Sequence, residues 1–175
     1  MSRAGMGLKL MGIGVTANTA VLRSAKTNLQ GHLKAGNIEL AAQQVLNSAL
    51  VYFDRSVPYS PKDQGFMLSP VRARRVASQM ERSPIIRSLV KHGNTRDVAK
   101  VIIELHKISG ESNYKKYILG SVMEAVLKAF PNQDRYDAYF RDLKAMVSLE
   151  EGAWDKLQGV HVGFRLYASG LGTPS

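Results

Sequence analysis

Cysteine is absent from the chain, which excludes disulfide staples, thiolate metal sites, iron–sulfur clusters and a thiol nucleophile. Long apolar runs are missing too. Gly, Lys, Arg or Asn interrupts every stretch before the roughly 18 residues that a membrane-spanning helix needs, so no membrane partner is expected. The histidines His32, His92, His106 and His161 stand singly, with no HxxxH or HExxH spacing to set two imidazoles on one helical face, and neither a metal nor a cofactor is expected. No G-x-S-x-G is present, and Asp54, Asp63, Asp134, Asp137 and Asp142 are interleaved with Arg and Lys, the pattern of solvated ion pairs. No catalytic residue is nominated, and the chain does not read as an enzyme.

What is present is a chain of 175 residues, 45% apolar and 22% charged, enough for one domain, 1–175, with a buried core. The formal net charge is +10, from 24 Lys and Arg against 14 Asp and Glu. Its distribution is uneven: residues 1–107 hold 16 basic against 6 acidic side chains, and residues 108–175 hold 8 against 8. The first part therefore carries the whole excess and attracts anions, whether a polyphosphate backbone, an acidic protein or an anionic surface.

The element pattern starts with Leu8 to Val15, which alternates as a short strand. A helix follows from Asn18, with Val21, Leu22, Ala25, Leu29 and Leu33 on one face and Gly36 as its stop. Asn37 then has N-cap chemistry for a second helix, in which Ile38, Ala42, Val45, Leu46, Ala49, Leu50 and Phe53 recur at steps of three and four. Residues 58–70 carry three prolines and read as a fixed turn. Ser69 and Pro70 can open a third helix, with a strand through Arg75 as the competing reading. Residues 84–157 read as short-looped helical hairpins: one helix to Gly93, one capped by Thr95 and stopped by Gly110, one to Pro131, one through Tyr136 and Val147, and a last short one opened by a capping box at Ser148 to Glu151. Val160, Val162, Phe164 and Leu166 alternate as a second strand, before a tail of small residues. The expectation is an α+β fold, mostly α-helical, of helical hairpins with short N-terminal and C-terminal β-strands. It divides into 1–75, 84–157 and 158–175.

Two motifs stand out. Gly12, Gly14 and Ala17 form G-x-G-x-x-A, which resembles a dinucleotide-binding turn, but a second helix follows where a parallel strand ending in an acid is required, so no nucleotide is expected. The stretch from Ala41 to Arg74, AAQQVLNSALVYFDRSVPYSPKDQGFMLSPVRAR, resembles the helix, proline turn and following segment of the phage head-to-tail joining or tail-completion (neck or minor tail) proteins. Pro61, Asp63, Gly65 and Leu68 occupy its turn, and LYASGLGTPS at Leu166 to Ser175 is similar to that family's late segment. Gln64 replaces the family's Thr, Phe66 and Met67 lengthen the gap before Leu68, and 84–157 is helical where the family has strands. That region is either an insertion or the main body.

The resemblance implies a structural virion subunit in the neck or tail, assembled in the host cytoplasm as a homo-oligomeric ring. Its partners would be other copies of itself and neighbouring portal, adaptor or tail proteins, with non-specific DNA contact on its inner surface. The terminal strands, and an arm of Tyr167, Ala168, Ser169, Gly170, Leu171, Gly172 and Thr173, would join neighbouring subunits. A different class of function rests on Arg72, Arg74, Arg75, Arg82, Arg87, Lys91, Arg96 and Lys100, a basic run suited to a phosphate backbone or an acidic partner, as in a ribonucleoprotein subunit. No aromatic is interleaved with it, which argues against single-strand stacking.

Overall fold

The computed structural model describes residues 28–56 and 70–169, and among them every regular element is a helix. In chain order these are α1 (28–35), α2 (Ile38–Ser56), α3 (Pro70–Glu81), α4 (Pro84–His92), α5 (Thr95–Ser109), α6 (Asn113–Ala129), α7 (Gln133–Val147) and α8 (Ala153–Ala168). The starts and stops follow local chemistry. Gly36 and Gly110 close α1 and α5, Pro84 occupies the first turn of α4, and the side chains of Asn94, Ser112 and Asn132 accept the backbone N–H groups of Asp97, Lys115 and Arg135. Each such cap satisfies one of the N–H groups that a helix start leaves unpaired. The cap of α5 is thus Asn94 rather than Thr95, whose hydroxyl donates instead to Asp142 Oδ2 at 2.8 Å.

The core is organised around α6, which packs against α2, α3, α4, α5 and α8. Ile118, Leu119, Val122, Met123, Ala125 and Val126 are all buried, because a helix enclosed by neighbours is apolar nearly all round. The buried residues of 84–157 join one hydrophobic cluster with those of α2, α3 and α8. Tyr117 of α6 meets Tyr167 of α8 at 5.5 Å between ring centroids, while Glu124 meets His161, so the two helices run antiparallel. At their crossing a Cβ on Gly120 would lie 2.5 Å from Phe164 Cβ, which only glycine avoids.

Three expectations are corrected. Residues 160–167 are not a strand but the second half of α8. Leu157, Phe164 and Ala168 are buried at helical spacing, and two members of the supposed inward set, Val162 and Leu166, are exposed. The capping box at Ser148 to Glu151 does not form. Ser148 instead ends α7, and Gly152, at φ 77°, precedes α8, a backbone region that glycine enters without strain. The first three residues assigned to a C-terminal arm belong to α8 and its cap. Tyr167 packs on Tyr117, Ala168 is buried and Ser169 is the C-cap of α8. Gly170, Leu171, Gly172 and Thr173 lie outside the described residues, as do the expected strand at Leu8 to Val15 and the turn residues Pro61, Asp63, Gly65 and Leu68. At Arg75 the competing readings resolve to helix, and the side chain is exposed.

Candidate functional site

The basic run of the sequence falls on α3, α4 and the start of α5. Arg75 and Arg82 project from α3, Arg87 and Lys91 from α4, and Arg96 and Lys100 from α5, all exposed. Each pair on α4 and α5 is spaced i,i+4, so its two heads lie on one side of their helix. Burial of the opposite sides explains the placement. Ile85, Ile86, Leu89 and Val90 hold α4 down, and Val98, Val101, Ile102 and Leu105 hold α5. Among the described residues no ion pair engages Arg75, Arg87, Lys91, Arg96 or Lys100; Glu81 pairs with Lys128 at 3.8 Å, and Asp97, between Arg96 and Lys100 in the chain, pairs with neither. Five cations therefore keep their field directed to solvent.

Two other members of the run are committed elsewhere. Arg74 Nη1 donates to the carbonyl of Ala168 at 2.6 Å and so satisfies an open C-terminal carbonyl of α8, where positive charge is also favoured by the helix dipole. Arg82 Nη2 donates to Ser78 Oγ at 2.9 Å within its own helix. The side chain of Arg72 lies outside the described residues.

The α4–α5 link is fixed by α7. Arg135 Nη2 donates to the carbonyls of Val90 at 3.1 Å and Gly93 at 3.4 Å, while its guanidinium lies 5.6 Å from the centroid of the Phe130 ring. Together with the bond from Thr95 to Asp142, this holds Lys91 and Arg96 at the two ends of a braced elbow.

A second polar constellation, not foreseen from the sequence, lies between α6 and α8. Glu124 Oε1 stands 2.8 Å from His161 Nε2 and 3.4 Å from Arg165 Nε, with Glu124 and His161 side chains both 12% exposed. The hydrogen bond from His161, then the nearby charges of Arg165, His161 and Lys128, hold the Glu124 carboxyl below its ordinary 4.5 against the opposing effect of burial. A carboxylate only accepts, so His161 Nε2 carries the proton of this bond. Tyr136 is raised by burial, with Arg165 opposing and Glu124 and Asp137 adding. The arrangement fastens α8 to α6 and presents no nucleophile.

Its pH dependence has a definite sign. A carboxyl held low in the folded state contributes stability above about pH 4.5 that disappears as pH falls through its folded value. Glu124→Gln is therefore expected to lower the melting temperature at neutral pH, with the gap to wild type narrowing on acidification towards pH 3, about the carboxylate range. Thermal unfolding followed by circular dichroism across that range checks this. A gap that stays constant would remove Glu124 from the account.

The remaining titratable groups add little to the basic face. His106 is pushed down by burial and by Lys116 and Lys156, partly offset by Glu150, so it is neutral near pH 7. Burial raises Tyr117 to about 12 and also raises Tyr139, and their rings belong to two packed aromatic groups. One joins Tyr117, Phe164 and Tyr167, and the other joins Phe130, Tyr136, Tyr139, Phe140 and Trp154. Among the described residues no group of His, Asp and Glu is arranged to hold a metal ion, and no helix is long and apolar enough to cross a membrane. Comparison of the chain with models of protein families, with curated proteins and with solved structures gives no match.

Proposed function

We propose that this chain is a non-enzymatic helical protein that binds nucleic acid through the basic face of α3, α4 and α5. The observation that carries this reading is the exposure of Arg75, Arg87, Lys91, Arg96 and Lys100 with no ion pair among the described residues. A field of one sign on a folded surface concentrates a polyanion, and each phosphate neutralised releases a condensed counterion. The direct test is a titration of generic duplex DNA followed by fluorescence anisotropy. Affinity is expected to fall at least about tenfold between roughly 50 and 200 mM salt. Absence of binding at the lower salt would refute the reading.

A second reading, a subunit of a virion neck or tail ring, requires self-association, for which the outer side of α8 offers a surface. Val162 and Leu166 are 51% and 44% exposed there, beside the exposed Gly159 and Gly163, an apolar strip that a second copy of the chain can cover. The same particle role accommodates the basic face, which would then border packaged DNA. Light scattering separates the two: a closed oligomer in the absence of nucleic acid supports the ring, and a monomer at all concentrations rejects it.

A further inference from the structure

Resting on the nucleic-acid reading above, we infer that the partner is double-stranded and is gripped at its phosphates alone, by the cation pairs Arg87–Lys91 and Arg96–Lys100 acting as one site across the α4–α5 elbow. Three observations lead there. First, the face has no exposed Phe, Tyr or Trp ring to stack on a base, and the imidazole of His92 is its one described exposed ring. The described exposed side chains from Arg74 to Lys100 are Arg74, Arg75, Arg82, Pro84, Arg87, Lys91, His92, Asn94, Arg96 and Lys100, whereas the Phe, Trp and remaining Tyr rings with described burial, Tyr52 included, are buried or half-buried, most of them on α6, α7 and α8. Non-specific single-strand binders depend on such rings, each worth a substantial part of the affinity, so this face distinguishes strands chiefly by charge density. A duplex supplies the higher density, about one charge per 1.7 Å of axis.

Second, neither helix carries a side-chain set suited to reading bases. A helix that reads base edges lays its exposed side in the major groove with side chains that pair with them, Asn or Gln with adenine among them. α5 is packed by α2, α6 and α7, and α4 by α6, α2, α3 and α5, leaving a single outward stripe on each. On those stripes the exposed side chains are Pro84, Arg87, Lys91 and His92 of α4 and Arg96, Lys100 and Lys107 of α5, charge that suits a phosphate backbone, with no Asn or Gln on either helix to pair with adenine.

Third, the elbow is braced. Lys91 and Arg96 are five residues apart, so their Cα atoms are separated by at most about 17 Å. The link between them is held by Arg135 at the carbonyls of Val90 and Gly93. The two pairs are thus pre-positioned relative to each other, and less ordering entropy is lost on binding. Arg135 is a positioning residue here: its guanidinium is occupied by those carbonyls and by the Phe130 face.

The test compares a generic duplex of about 20 base pairs with oligo(dT) of equal length at one salt concentration, and then measures the salt slope of duplex binding for Arg87→Gln/Lys91→Gln and Arg96→Gln/Lys100→Gln. All four side chains are exposed, so both variants are expected to keep the wild-type helical signal. The duplex is expected to bind about tenfold tighter than the single strand, independently of base sequence, and each double variant to reduce the salt slope by about 2. Equal or tighter binding of oligo(dT), or a strong dependence on duplex sequence, overturns the inference while leaving the nucleic-acid reading standing. A double variant with an unchanged slope overturns the single two-helix site. Failure to bind either strand form overturns both the inference and the reading on which it rests.

Discussion

Replacing Gly120 by valine is expected to destabilise the protein by about 3 kcal/mol or more, at the upper end of what overpacking a core costs. The atoms that the new side chain meets are fixed ones: Phe164 Cβ at 2.5 Å and the Val160 carbonyl oxygen at 3.2 Å from the added Cβ. A rotamer change at Phe164 cannot relieve the first contact, and truncation of Phe164 to alanine leaves that Cβ in place. α8 must therefore move away from α6, which stretches the Glu124–His161 bond and separates Tyr117 from Phe164 and Tyr167. Gly120→Ala meets the same contact with a smaller side chain but gains about 1 kcal/mol of helix propensity, so its net loss is smaller. For a chain of this length each kcal/mol corresponds to about 2–4 °C in melting temperature, placing the valine variant about 6–12 °C below wild type. Thermal denaturation of both variants measures this, and a melting temperature unchanged by Gly120→Val would contradict the close crossing.

Removal of Arg87, Lys91, Arg96 and Lys100 together, each as glutamine, is expected to lower duplex affinity about 100- to 1,000-fold near physiological salt, since each phosphate contact carries a log–log slope of about 0.9. Stability should change by no more than about 2 kcal/mol, four surface positions at up to about 0.5 kcal/mol each. None of the four is in an ion pair among the described residues. Loss of binding with retained folding is the pattern that separates an interface from a scaffold. Arg74 is deliberately excluded from the set, because its bond to the Ala168 carbonyl gives it a structural role whose loss would blur the comparison.

The parts of the fold that were legible in the sequence are those in which apolar spacing and punctuation agree. In α2, α4 and α5 the buried apolar residues recur at steps of three and four, and Gly36, Gly93, Gly110 and Pro131 stand at or just beyond a helix end. α8 was misleading because its second half fits two periods. Val160 and Phe164 belong to both an alternating and a helical pattern. The helical set becomes evident only when Leu157 and Ala168, both buried, are included. Propensity offered no decision, since packing against α6 determines the outcome.

The exposed cations were legible for a simple reason: long charged side chains without a buried partner remain in water. Which of them is free was not. Arg74 is captured by a carbonyl 94 residues away and Glu124 by a histidine 37 residues away, contacts that no local spacing encodes. His161 and Arg165 share a side of the chain whether that segment is strand or helix, so their common partner could have been sought, but only the packing of α8 on α6 identifies it as Glu124.

Two variants that lose the same charge from different places separate a local binding face from the effect of net charge. Arg96→Gln/Lys100→Gln removes two cations from the proposed face, and Lys115→Gln/Lys156→Gln removes two exposed cations from α6 and α8. If binding is local to the α4–α5 face, the first variant loses at least about tenfold in duplex affinity and about 2 in salt slope, and the second stays within about twofold of wild type. Equal losses in both would mean that net charge alone attracts the nucleic acid and that the face is not a binding site.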